Sequence, residues 1–215
     1  MTKPLVVVES PTKIKTLTKI IGDQYNIAAT VGHIRDLPEK EMGVDIDDGF
    51  KPKYKTIAGK QKVIKNLKAC AGDATEIYLA PDPDREGEAI AWHTAEVLKK
   101  KGRRFYRVLF HELTPSAIKE SIQHPLELDL NKYEAQQTRR ILDRLVGYQI
   151  SPLLWKKVKG SLSAGRVQSV AVKIICDRER AIQAFEPEEY WSITAQLAGS
   201  SPPPFSAKPV SYTHL

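Results

Sequence analysis

Glu76-Ile77-Tyr78-Leu79-Ala80, followed by Pro81-Asp82-Pro83-Asp84-Arg85-Glu86-Gly87-Glu88, is the stretch on which the fold turns. The first five residues predict a short buried strand, and Ala89 to about Lys100 predict a helix. The acidic run is therefore the connection that leaves a strand at its carboxyl end. Two prolines restrict its backbone, which is unusual for a simple helix cap.

The same alternation extends in both directions. Leu5 to Val8 predicts a β-branched buried strand, and Ser10-Pro11 supplies a helix cap and first-turn proline ahead of Ile14, Leu17, Ile20 and Ile21. Tyr25 to Val31 predicts a second strand, residues 32 to 38 a polar loop, and 39 to 56 an irregular stretch. Ala58 to Ala71 predicts a basic amphipathic helix, Phe105 to Phe110 a fourth strand, and Thr114-Pro115 a helix through Ile122. Strands alternating with helices predict an α/β fold with an open, mostly parallel sheet.

After Pro125 the pattern changes. Asn131 to Ala184 shows helical periodicity, expected to break at Ser151-Pro152 and at Gly160 to Gly165, and strand character returns at Tyr190 to Leu197. These shifts place a first domain at 1–128, a helical region at 129–186 and the start of a strand-containing domain at 187–208. The last residues, 209–215, read as an artefactual tail.

The 215 residues carry a net charge of +7. Asp129 to Ala184 holds eleven Lys or Arg against five Asp or Glu, while the preceding segment is close to balanced. A basic balance suggests a polyanionic partner. No apolar run approaches the roughly 18 residues that would cross a bilayer, and the first apolar stretch is too short for a signal-peptide core. The expected compartment is the cytoplasm, with no membrane partner. Cys70 and Cys176 lie in apolar-periodic stretches far apart and are expected to be reduced and mostly buried.

Glu9 directly follows the first strand, and Asp82, Asp84 and Glu86 follow the third. If those strands are neighbours, the carboxylates meet at one sheet edge and repel one another unless a cation is present. Hard oxygen donors select Mg²⁺. Lys13, Arg85 and Arg107 are either ordinary ion-pair partners of these acids or neutralisers of charge on a phosphate.

In the helical segment, Ile141, Leu142, Leu145 and Val146 are expected inward, with Arg139, Arg140, Asp143 and Arg144 sharing the outer side. That charged face is either solvated or bound to nucleic acid. Trp155 beside lysines either stacks on a base or belongs to the core.

Val8-Glu9-Ser10-Pro11-Thr12-Lys13 and Pro81 to Ala91 resemble the two halves of a Toprim domain in type IA topoisomerases. Ala29 to Pro38, Ala91-Trp92-His93 and Phe110 to Thr114 are similar to the bacterial topoisomerase I branch. The resemblance covers about residues 4 to 197. It implies Mg²⁺-dependent, ATP-independent cleavage and religation of one DNA strand through a 5′-phosphotyrosine link, relaxing negative supercoils. The absence of a G-x-x-x-x-G-K-[ST] loop agrees.

By that resemblance Glu9 manages the proton on the leaving 3′-oxygen, and Lys13 and Arg107 stabilise the phosphate. Glu86 joins the catalytic set, and Glu9, Asp82 and Asp84 hold the metal. His33, Arg139, Arg140, Asp143, Tyr148 and Trp155, with Ser163, Ala164, Gly165, Arg166, Val167 and Gln168, contact DNA. None of the eight tyrosines stands in a context like the family's nucleophile, so that group is expected downstream and the chain by itself inactive. The implied partner is single-stranded or negatively supercoiled DNA, bound by a nucleoid-associated monomer. The rival readings are another Toprim enzyme, a primase or nuclease, and a non-catalytic single-strand-binding fragment.

Overall fold

The computed structural model describes residues 3–201 and 203–208. Four parallel strands form the central sheet: β1 (Leu5–Val8), β2 (Asn26–Ala29), β7 (Glu76–Ala80) and β8 (Arg104–Arg107), in the order β2-β1-β7-β8. Between β2 and β7 lie four two-residue strands, β3 (Arg35–Asp36), β4 (Val44–Asp45), β5 (Lys51–Pro52) and β6 (Lys55–Thr56). They pair antiparallel as β3 with β6 and β4 with β5, so the stretch expected to be irregular is two small ribbons.

Helices α1 (Pro11–Ile21), α2 (Gln61–Ala71), α3 (Arg85–Leu98) and α4 (Pro115–Gln123) surround the sheet. The period-2 alternation of the strands divides the core. Leu5, Val7, Ile77 and Leu79 pack with Leu67 and Ala71 of α2 and Ala91 and Leu98 of α3 on one face. Val6, Val8 and Ala80 pack with Leu17 and Ile21 of α1 and Ile118 and Ile122 of α4 on the other. All four β1 residues are fully buried, as expected of a strand covered on both faces.

The expected helix from Ala89 begins four residues earlier. Asp84 caps α3, its Oδ1 accepting the Gly87 amide at 2.7 Å. Strand β8 ends at Arg107 rather than Phe110. The expected break at Ser151-Pro152 does not occur, because α5 (Leu130–Lys157) runs through Pro152. The buried Ser151 instead holds the chain beyond the helix, its Oγ accepting the Ala164 amide at 3.0 Å.

Helix α6 (Arg166–Gln183) follows, then the antiparallel pair β9 (Ala195–Leu197) and β10 (Phe205–Ala207). The strand expected from Tyr190 begins only at Ala195. The chain divides into two compact units between Arg166 and Val167, whereas composition changes near 128. The first half of α5 packs on α3, which joins it to the sheet unit. No described residue of α6 is buried, so Cys176 is exposed, and Cys70 is half-buried. Both depart from the expected buried thiols. The expected tail, 209–215, lies outside the described residues.

Candidate metal cleft and nucleic-acid groove

The chain runs from β1 to β2 on one side of β1, then returns to place β7 on the other. Between β1 and β7 the winding direction reverses, and crevices for ligands form at the carboxyl ends of strands at such points. The register pairs Val8 with Ala80, so Glu9 and Pro81 leave the sheet together. Glu9, Ser10, Lys13, Val31, Gly32 and Asp82 line a cleft of about 450 Å³ there. Ser10 caps α1, aiming its first turn at the cleft, and Lys13 in that turn donates to Asp82 Oδ1. Val31 and Gly32 adopt left-handed conformations, and the Val31 amide bonds the Glu9 carbonyl at 2.8 Å.

Glu9 and Asp82 are thus brought together, but Asp84 is not among the cleft's lining residues. It is turned to its helix-capping bond. Among the described residues no group of three or more His, Cys, Asp or Glu side chains could hold a metal ion. The donor chemistry of the pair still fits Mg²⁺, which keeps several waters and binds through one or two carboxylates. Gly87 packs the acidic loop closely on α3: a Cβ there would lie 2.0 Å from the Asp82 carbonyl oxygen.

Arg107, expected to face a phosphate, lies instead beneath the cleft with 1% of its surface exposed. Its Nε donates to Glu88 at 2.8 Å, and its Nη atoms donate to the carbonyls of Leu79, Pro81, Val108 and Asp82. Each of its three nitrogens donates within the fold, so it fixes the backbone that carries Asp82. Glu88, its partner, was missed by the sequence reading. Its other oxygen accepts the Asp129 amide at 2.8 Å, tying the acidic run to the start of α5. The available signal was its place within Gly87-Glu88-Ala89, on a helix turn with no solvent side.

Glu86 lies between the cleft's loop and the helix. Its carboxylate accepts from Gln136 at 2.9 Å and sits 3.4 Å from His33 Nε2. A cavity of about 350 Å³ opens there, lined by His33, Asp36, Glu86, Arg139, Arg140 and Asp143, with His93 also at its wall. Arg140 forks onto Asp36, its Nε 2.8 Å from Oδ1. Burial pushes the Asp36 carboxyl up, but Arg140 and the Leu37 amide outweigh it and hold it below its ordinary value. Asp143 braces two arginines: Arg166 donates to it at 2.7 Å, and Arg139 Nε is 3.9 Å away.

A second cavity of about 650 Å³ shares Arg140 and Asp143 and adds Arg144, Tyr148, Trp155 and Ser163. The expected faces of α5 are partly inverted here. Arg144 is buried and Leu142 is 42% exposed. The reason is the supply of acceptors: Arg144 donates to the carbonyls of Leu37, Pro38 and Glu41 and to Tyr148 Oη. Its guanidinium also lies over the Tyr148 ring, 4.6 Å from the centroid. Trp155 is 51% exposed, so it is not a core residue, and its indole N–H donates to the Leu162 carbonyl at 2.6 Å. Ser163 is exposed, Ala164 and Gly165 are half-buried, and Arg166, Val167 and Gln168 form the exposed start of α6.

His93 is almost fully buried and neither ring nitrogen has a hydrogen-bond partner. Burial, then the charges of Arg35 and His33, push its pKa down to about 4. It packs edge-on to Tyr54, with ring centroids 4.5 Å apart.

An acid-bearing switch point on a parallel sheet, followed by an arginine-lined helix, matches two families in chain order. Residues 4–113 match the Toprim domain family, which defines the class of the sheet unit. Residues 127–211 match the DNA topoisomerase family. Full-length topoisomerase I from Thermotoga maritima is similar at 48% identity and a TM-score of 0.81, over 90% of this chain and 33% of that one. The chain belongs to the bacterial type IA DNA topoisomerases, and it spans about a third of the length of that solved relative. No helix of the described residues is long and apolar enough to cross a membrane.

Proposed function

We propose that this chain supplies the metal cleft and much of the DNA grip of an enzyme that cleaves one DNA strand, passes another through and reseals the break. The observation that carries the reading is the pairing of Glu9, Asp82 and Lys13 in one cleft at the β1–β7 switch point. Glu86 links that region to the arginine-lined cavity on α5. The match at 127–211 favours this reading over a primase or nuclease, which would need the Toprim part alone.

Glu9 donates a proton to the leaving 3′-oxygen on cleavage and takes it back from the 3′-hydroxyl on resealing. Lys13, once released from Asp82, places positive charge against the scissile phosphate. Glu9 and Asp82 are the residues that would hold Mg²⁺, with Asp84 joining if its capping bond is exchanged. Held there, Mg²⁺ would supply charge neutralisation at the phosphate. Arg107 and Glu88 fix the Pro81–Asp82 backbone. Arg139, Arg140, Tyr148 and Trp155 hold a single strand, charge against phosphates and rings against bases. The cycle keeps the bond energy in a phosphotyrosine and uses no nucleotide. The protein works as a nucleoid-associated cytoplasmic monomer on single-stranded or negatively supercoiled DNA.

The attacking tyrosine is assigned outside residues 1–215. The test mixes the chain, Mg²⁺ and an end-labelled single strand, then denatures and looks for label on protein. None is expected from this chain, and a covalent band is expected once the downstream region is joined. A band from this chain that disappears when one of its own tyrosines becomes Phe overturns the assignment. No band from the extended chain overturns the cleavage reading.

A further inference from the structure

The excess charge in the sequence lies after residue 129, yet folding concentrates a second group of cations far from α5 in sequence. Strand β2 is the edge of the sheet, covered by α1 on one face and α2 on the other. Neither helix contains an acidic residue. Their exposed surfaces carry Lys15 and Lys19 on α1 and Lys62, Lys65 and Lys68 on α2. None of these five pairs with a carboxylate among the described residues, whereas Lys51, Lys53 and Lys55 just before α2 are each paired with an acid. Both helices begin at the cleft. Ser10 and Pro11 line it, and Lys60, at the start of α2, donates to the carbonyl of the cleft residue Val31.

We infer that this lysine-bearing β2 edge binds the phosphate backbone of duplex DNA adjoining the single strand held at the cleft. The inference rests on the proposed DNA-binding reading. Three observations select the ligand. No aromatic residue occurs in either helix, so there is no platform for unstacked bases. No large apolar side chain of either helix is exposed, so nothing inserts into a lipid surface. Lys62 to Lys68 spans about 9 Å of helix axis, over which a duplex strand presents two or three phosphates at its 3.4 Å axial spacing.

The test measures binding of three labelled oligonucleotides by fluorescence anisotropy over a salt series: a single strand, a blunt duplex, and a duplex with a single-stranded tail. The variants are K62Q/K65Q/K68Q and, as a control on α5, R139E/R140E, each checked for native circular dichroism. For the lysine variant, the duplex and tailed substrates should lose affinity at low salt. Their slope of log K against log salt should fall by roughly 2 to 3, as three phosphate contacts require. The single strand should be bound as before. Unchanged duplex affinity and slope, or an equal loss on all three substrates, overturns the inference. Failure of the unaltered chain to bind the single strand brings down the DNA-binding reading itself, and R139E/R140E reports on that reading separately.

Discussion

The acidic cleft at the ends of β1 and β7 and the arginine-lined cavity on α5 both stand on buried polar groups, but the two supports are opposite in kind. Beneath the cleft, Arg107 and Glu88 form a buried ion pair whose remaining hydrogen-bonding positions are filled by backbone carbonyls and an amide. At the wall of the cavity, His93 is buried with neither ring nitrogen hydrogen-bonded within the protein, and the Tyr54 hydroxyl is likewise without a protein partner. A saturated charged support holds a loop in one place. An unsatisfied neutral support is a standing cost, and it lies where three segments meet: the loop at His33, the ribbon at Tyr54 and α5.

The largest effect is expected where the saturated support is broken. Arg107→Met leaves Glu88 buried and unpaired and frees the Pro81 and Asp82 carbonyls, for a loss of about 3–5 kcal/mol in urea unfolding. Arg107→Lys should recover little, because one ammonium cannot span Glu88 and four carbonyls. Glu88→Met added to Arg107→Met should return part of the loss, since the stranded charge is then gone. A loss below about 1 kcal/mol for Arg107→Met would mean the pair is not the cleft's support.

The second effect reads the unsatisfied support through pH. His93 has a folded-state pKa of about 4 against 6.5 when unfolded. The folded state therefore favours the neutral ring. Above pH 6.5 this costs nothing. As pH falls from 6.5 towards about 4 the unfolded chain takes up a proton that the folded chain refuses. Stability drops over that window by at most about 3.5 kcal/mol, at about 1.4 kcal/mol per pH unit, and the contribution is constant below it. The Asp36 carboxyl, whose pKa is lowered, loses its own contribution only at lower pH, as it protonates below 3.8. His93→Leu should flatten the slope between pH 6.5 and 4 relative to the unaltered chain. Parallel slopes would place the ring in contact with solvent.

The same contrast explains what the sequence made legible. The ends of β1 and β7 fall where the sequence places them, at Val8 and Ala80, and the pairing of those two residues brings Glu9 and Asp82 to one edge. Arg107 stayed open between an ion pair and a phosphate contact because a strand residue at a functional edge looks the same whether its guanidinium turns toward solvent or into five internal acceptors. On α5 the pattern is weak: Arg144 and Leu142 exchange their expected environments because the carbonyls of the 37–41 loop, a hundred residues away, offer the arginine a better place than water. The lysines around β2 were invisible to a count along the chain, since α1 and α2 are separated by forty residues and meet only across an edge strand.

The smallest effect tests whether the groove works by exposed rings as well as by charge. Trp155 is half exposed, so replacing it removes about half the buried surface of a core tryptophan, and its one hydrogen bond, to the Leu162 carbonyl, is open to replacement by water. Trp155→Ala should therefore cost about 2 kcal/mol or less in urea unfolding. If the indole stacks on a base, single-strand binding should weaken by about 1–3 kcal/mol, which is roughly 5- to 150-fold in Kd. Stacking depends little on salt, so the slope of log K against log salt should stay the same, unlike the change expected from a lost arginine or lysine. Trp155→Phe keeps a π-face but gives up the N–H donor, so it should retain most of the affinity. If Trp155→Phe binds as poorly as Trp155→Ala, the hydrogen bond to Leu162 matters more than the ring. The tryptophan then shapes the 158–163 connection instead of receiving a base.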